Sequence, residues 1–248
     1  MKSHSFLKPG QKHLAVLIDP DKAKPAFLNQ ILTFANQKMF DFFLVGGSLT
    51  TFSTQTVVDY LKINGNLPVV LFPGDIEQVA LNADAILLLS LVSGRNPEYL
   101  IGKHVLVARK LKNSQMHILP TGYILISSDQ PTAVQYITQT QPIPRTKPDI
   151  AAATALAAQL LGMKAIYLEA GSNADQNVPT EIISAVRQEV DIPIFTGGGI
   201  KSPKQMLQAY NAGADVVVIG SVIEQNPLKL ADFADAFRKK IKNQTNEN

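Results

Sequence analysis

The chain has 248 residues, 46% hydrophobic and 17% charged, with a formal net charge of +3 and a pI near 9.0. That apolar content excludes a disordered chain, and a charged fraction below the about 25% of an average domain points to surface covered by another subunit or by lipid. Lysine and arginine are scattered apart from Arg238-Lys239-Lys240 and Lys242, read as a solvated helix end, so no stripe for nucleic acid is expected.

With no cysteine, neither a disulfide nor a thiolate metal site is possible. No signal-like segment precedes the first apolar run, and no run reaches the roughly 18 residues of a membrane span. These features predict a cytoplasmic protein.

Short apolar runs without polar alternation predict parallel strands buried on both faces. His13–Asp19 is the first, followed by a helix over Pro25–Lys38. Phe42–Val45 is the second, ending in Gly46-Gly47-Ser48, with a helix over Thr54–Ile63. Pro68–Phe72 is the third. Only Asp75–Asp84 separates it from the fourth, Ala85–Leu91, room for barely two helical turns, so one outer helix is expected to be shortened or replaced.

Pro97–Lys110 reads as helical and Tyr123–Ile126 as part of strand five. Ser127–Pro148 holds four prolines and reads largely as loop, of a length often used as a lid. A helix over Asp149–Leu161 follows, then strand six at Ala165–Glu169 and a helix over Thr180–Glu189. Strand seven is Ile192–Thr196, and Ser202-Pro203 opens the next helix. Strand eight is Val216–Ile219, before a helix ending near Lys242 and a polar tail, 243–248, expected to fray. Eight strands with crossovers in this length predict one (β/α)₈ barrel domain over residues 1–248. A doubly wound sheet is the alternative, disfavoured because no G-x-G-x-x-G fingerprint is present.

Three strand ends carry glycine: Tyr167-Leu-Glu-Ala-Gly-Ser172, Thr196-Gly-Gly-Gly-Ile200 and Ile219-Gly-Ser221. One such end is a tight turn; three on neighbouring strands let backbone N–H groups approach phosphate oxygens. Asp19 in Asp19-Pro-Asp21-Lys22 and Ser48 should meet on the same rim, a carboxylate and a hydroxyl able to share Mg²⁺ with substrate phosphates. The plainer reading of Asp-Pro-Asp is a turn in which Asp21 caps the next helix. Glu169 should face the mouth, binding polyol hydroxyls or accepting a proton, with Tyr167 on the same face; a structural ion pair is the alternative. Arg95, in Ser93-Gly-Arg-Asn-Pro97, suits a diphosphate or simply an exposed loop. His4, His13, His104 and His117 lack metal-ligand spacing and read as packing or surface. No G-x-S-x-G elbow or P-loop is present.

Taken in order, Leu17-Ile-Asp-Pro-Asp-Lys22, Val45-Gly-Gly-Ser48, Leu71-Phe-Pro-Gly74, Ser93-Gly-Arg-Asn-Pro97, Pro120-Thr-Gly-Tyr-Ile-Leu125, Ile143-Pro-Arg-Thr-Lys-Pro148, Tyr167–Ser172 and Gly197-Gly-Gly-Ile200 resemble the geranylgeranylglyceryl (heptaprenylglyceryl) phosphate synthase family, in its second sequence group. The resemblance implies Mg²⁺-dependent transfer of a long prenyl group from its diphosphate to the C3 hydroxyl of sn-glycerol 1-phosphate. The product would partition to membrane, and the enzyme would be a homo-oligomer. By position, the resemblance assigns Asp19 and Ser48 to Mg²⁺. It assigns Tyr167, Leu168, Glu169, Ala170, Gly171, Ser172, Asn173, Gly198, Gly199, Gly220 and Ser221 to glycerol phosphate. Catalysis falls to Glu169 and Tyr167, and Arg95 is the candidate diphosphate contact. Leu17 stands where the first group carries lysine, Asn173 replaces a usual glycine and Ser221 a frequent asparagine. The tail groove is expected at the thin third unit. Rivals are another phosphate-binding barrel enzyme, of isomerase or aldolase type, and a non-catalytic binding barrel.

Overall fold

The computed structural model describes Leu7 and residues 11–246, with side chains as far as residue 242. Eight parallel strands close in chain order: β1 His13–Ile18, β2 Phe42–Val45, β3 Val69–Leu71, β4 Ala85–Leu91, β5 His117–Leu125, β6 Ala165–Glu169, β7 Ile194–Gly197 and β8 Val216–Ile219. Ala15 of β1 lies opposite Phe42 on one side and Val218 on the other, so the ring has no edge strand. The fold is the expected (β/α)₈ barrel.

The outer layer comprises α1 Pro25–Asn36, α2 Thr54–Asn64, α3 Lys103–Lys112, α4 Ala133–Thr138, α5 Pro148–Leu160, α6 Thr180–Glu189, α7 Pro203–Ala212, α8 Ser221–Gln225 and α9 Lys229–Asn246. Strand residues alternate between two cores. Ala15, Leu44, Val70, Leu87 and Phe195 fill the barrel, while Leu14, Val16, Phe43 and Val45 pack outward beneath the helices. That double burial is why the strands read as unbroken apolar runs.

The third unit has no α-helix. A single 3₁₀ turn, Ile76–Gln78, stands in its place, and β3 and β4 share two register pairs, Val70 with Ala85 and Leu71 with Ile86. The outer face of β4 is thereby opened, and Leu88 is only half-buried. Gln78 repairs the polar side of the gap. Its buried amide accepts from the N–H groups of Gly47 (3.2 Å) and Gly74 (3.1 Å) and donates to the Gly47 carbonyl (2.8 Å).

Several expectations need correction. Strand five begins at His117, ahead of Tyr123, because β4 holds all seven of its residues in register against it, His117–Tyr123. The proline-rich segment contains α4, and Ile126 bridges Ile143 in parallel. The last helix reaches Asn246, past the point where fraying was expected; residues 247–248 lie outside the described residues, as does His4. The basic run therefore lies within α9, where Arg238 donates to the Gln37 carbonyl and Lys240 to Asn211. Asp21 caps no helix. Its Oδ1 accepts from the N–H groups of Thr51 (2.7 Å) and Phe52 (2.8 Å), tying the β1 loop to the β2 loop.

Candidate active site

The C-terminal ends of the strands surround a polar chamber lined by Asp19, Ser48, Tyr167, Glu169, Ser172, Asn173, Gly198, Gly199, Gly220 and Ser221. The strand ends singled out in the sequence thus converge on one rim. Within the Tyr167–Asn173 segment, Leu168 and Ala170 face the outer core instead, and Gly171 spends its N–H on Glu169. Asn173 adopts φ 58°, a left-handed conformation asparagine tolerates better than most residues, and its N–H donates to Ser221 Oγ at 3.3 Å.

Glu169 ends β6 and is 6% exposed. Oε1 accepts from Gly171 N–H at 2.6 Å, and among the described residues Glu169 forms no ion pair. Burial raises its pKa to about 7, against a smaller lowering by the Gly171 N–H and the Tyr167 hydroxyl. A carboxylate poised there can take up a proton at neutral pH. Beneath it, the Tyr167 ring stacks on Phe72 (4.7 Å between centroids) and Phe195 (5.9 Å). The Tyr167 hydroxyl is buried without a well-aligned hydrogen-bond partner, close enough to Glu169 to feel its charge; burial, then that charge, pushes its pKa well up. This aromatic floor desolvates the acid.

Gly198 has φ +77°, and a side chain there would strike Glu169 Oε1 and stand 2.6 Å from the Gly171 carbonyl oxygen. The absent Cβ is what lets backbone, acid and chamber come together.

On the opposite wall, Asp19 Oδ1 accepts from Asp21 N–H at 3.1 Å and lies against Gly47, the residue before Ser48. Lys22 Nζ stands 3.4 Å from Asp19 Oδ2 and 2.8 Å from Glu224 Oε2 of α8, bridging the first and last units. Among the described residues no three His, Cys, Asp or Glu side chains cluster to hold a metal. The donor set fits only an ion that takes few protein ligands and completes its shell with water or phosphate, as Mg²⁺ does.

Arg95 is not part of this rim. Its guanidinium donates to its own loop, to the carbonyls of Gly94 (2.7 Å) and Val92 (3.2 Å), and it borders a separate surface recess with Asp149 and Leu161. Sequence reasoning missed Gln78 and the Lys22–Glu224 bridge. No local signal in the sequence marked either.

The chamber opens sideways, past Gly47, Ser48, Phe72 and Tyr123, into an apolar groove of about 850 Å³ including its solvent-open part. Ile76, Val79, Ile86, Leu88, Tyr99 and Val107 line it, at the site of the missing third helix. Asp75 of the 3₁₀ turn's cap and Lys103 of α3 form an ion pair across it, with Lys103 Nζ 4.4 Å from the centre of the Tyr99 ring.

Fold and rim together define the class: a (β/α)₈ barrel enzyme whose polar chamber continues into an apolar side groove. The chain belongs to the PcrB family, whose sequence pattern matches residues 8–240. It is 46% identical over 231 residues to geranylgeranylglyceryl phosphate synthase of Spirosoma linguale, covering 93% of each chain. With the protein of that name from Methanosphaera stadtmanae it shares 38% identity over 240 residues, covering 96% of this chain and 94% of that one. A crystal structure of (S)-3-O-geranylgeranylglyceryl phosphate synthase from Thermoplasma acidophilum, in complex with its substrate sn-glycerol-1-phosphate, superposes with a TM-score of 0.84 at 30% identity, covering 93% and 94% of the two chains.

Proposed function

We propose that this protein joins a long prenyl group, most simply geranylgeranyl, to the C3 hydroxyl of sn-glycerol 1-phosphate and releases diphosphate. The observation that carries the reading is the buried Glu169, poised near neutrality between a glycine-walled chamber and an apolar groove. Glycerol phosphate sits with its phosphate against Gly198, Gly199, Gly220 and Ser221. Its hydroxyls reach Glu169, which the buried Tyr167 hydroxyl supports from below. The C3 oxygen forms a bond to the allylic carbon as the bond from that carbon to the diphosphate oxygen breaks, and the hydroxyl proton passes to Glu169. The prenyl tail lies in the side groove, where burial contributes about 0.8 kcal/mol per CH₂.

Mg²⁺ bound by Asp19 and Ser48 would neutralise the leaving diphosphate. Asp19→Ala is expected to remove metal-stimulated turnover, by about 100-fold or more, while the melting temperature in buffer without metal stays near wild type. Full Mg²⁺ stimulation in that variant would take Asp19 out of the metal site. With this function go a cytoplasmic location and a homo-oligomeric state, the latter supported by the bare Leu160 and Leu161 at the end of α5.

The direct test incubates labelled sn-glycerol 1-phosphate with geranylgeranyl diphosphate and extracts with organic solvent. Label in the organic phase is expected. Label confined to water would favour an isomerase- or aldolase-type barrel, a reading that leaves the apolar groove without a purpose.

A further inference from the structure

We infer that the outer face of α3 is a docking surface for an anionic lipid bilayer, and that it holds the side groove against the membrane. The inference rests on the proposed prenyl transfer only for its purpose, not for the surface itself. Ile101, just before α3, and Val105 and Leu106 within it are 61%, 66% and 68% exposed, within about one and a half helical turns of one another. Arg109, Lys110 and Lys112 continue the same helix, all exposed, and among the described residues no carboxylate pairs with any of them. Between Lys103 and Lys112 there is no acidic residue.

Apolar side chains followed by unpaired cations on one outward face are the composition of a helix that lies in a bilayer interface, seating the first in the acyl boundary and the second among anionic headgroups. A second copy of this chain fits the face poorly, because a symmetric α3-to-α3 contact would bring six uncompensated cations together. The opposite face of the helix lines the groove through Tyr99, Lys103, His104 and Val107. A bilayer lying on Val105 and Leu106 would therefore be separated from the groove by only the width of this helix, about 10 Å.

The test uses the full chain without substrates. It is sedimented with vesicles of phosphatidylcholine alone, or of phosphatidylcholine with phosphatidylglycerol, at low and high salt. Binding to the anionic vesicles only, weakened by salt, is expected. Reversing the charge of Arg109, Lys110 and Lys112 should weaken it by about fivefold or more per residue, and Val105→Ser with Leu106→Ser should abolish it. None of these side chains lines the chamber or groove, so transfer from detergent-dispersed substrate should persist in all of them. Equal sedimentation of wild type and variants, or none with anionic vesicles, would overturn the inference. So would a fall in oligomeric mass by light scattering in Val105→Ser with Leu106→Ser, which would assign the face to a second copy. Vesicle binding without any prenyl transfer would leave the surface standing and remove the function proposed above.

Discussion

Replacing Glu169 by Gln is expected to lower turnover by about 100-fold or more and, at the same time, to raise the melting temperature. The two effects share one cause. In the unfolded chain this carboxyl titrates near 4.5, whereas in the folded barrel burial holds it near 7. Between those values the native state binds the proton more tightly, so stability falls as pH rises from about 4.5 to 7, and the full penalty applies above that. The difference corresponds to about 3 kcal/mol, which a neutral amide would not suffer. A gain of roughly 6–12 °C in melting temperature at pH 8, shrinking to nothing at pH 4, is expected for a chain of this length. In wild type, turnover should climb with pH through about 7 as the carboxylate forms, and that limb should vanish in the variant. Scanning calorimetry and a pH–rate profile check both halves. A variant less stable than wild type at pH 8 would show that Glu169 supports the fold, and an unchanged rate would exclude it as proton acceptor.

Gly198→Ala is expected to weaken binding of sn-glycerol 1-phosphate by about 100-fold or more, measured by isothermal titration. A methyl group on a backbone at φ +77° is strained already, and here it also meets Glu169 Oε1 and the Gly171 backbone, none of which can retreat without moving the acid. Gly162→Ala is the matched control. It has φ +96°, yet nothing stands within 4 Å of its missing Cβ. It should lose about 1 kcal/mol of stability from backbone strain and keep full affinity. Equal affinity in the two variants would place the phosphate somewhere other than the Gly198 turn.

Strands whose residues are buried on both faces were plain in the sequence: Phe42–Val45, Ala85–Leu91, Ala165–Glu169 and Val216–Ile219 match the structure residue for residue. The start of β5 was not, because Pro120 and Gly122 interrupt its apolar run, while in the barrel they are held in register by Leu88 and Ser90 of β4. The rim was legible for a related reason. Strand ends carrying glycine, Asp19 or Glu169 are local signals, and closure of the ring brings them together without further information. What could not be read were contacts made across the chain: the Gln78 amide on Gly47, Asp21 on Thr51 and Lys22 on Glu224, which are 31, 30 and 202 residues apart. Arg95 stands outside the rim, where one nitrogen of its guanidinium donates to the carbonyls of its own loop.

The pairing of β1 with β8, His13 beside Val216, also sets the order in which the molecule comes into being. One side of the first strand waits for a partner that emerges from the ribosome about two hundred residues later, so shutting the ring is the most non-local event in its folding. Asp19, and the Lys22 bridge to Glu224, sit at that last seam. A nascent or truncated chain without β8 therefore has neither a shut sheet nor half of its chemistry, and competence arrives all at once.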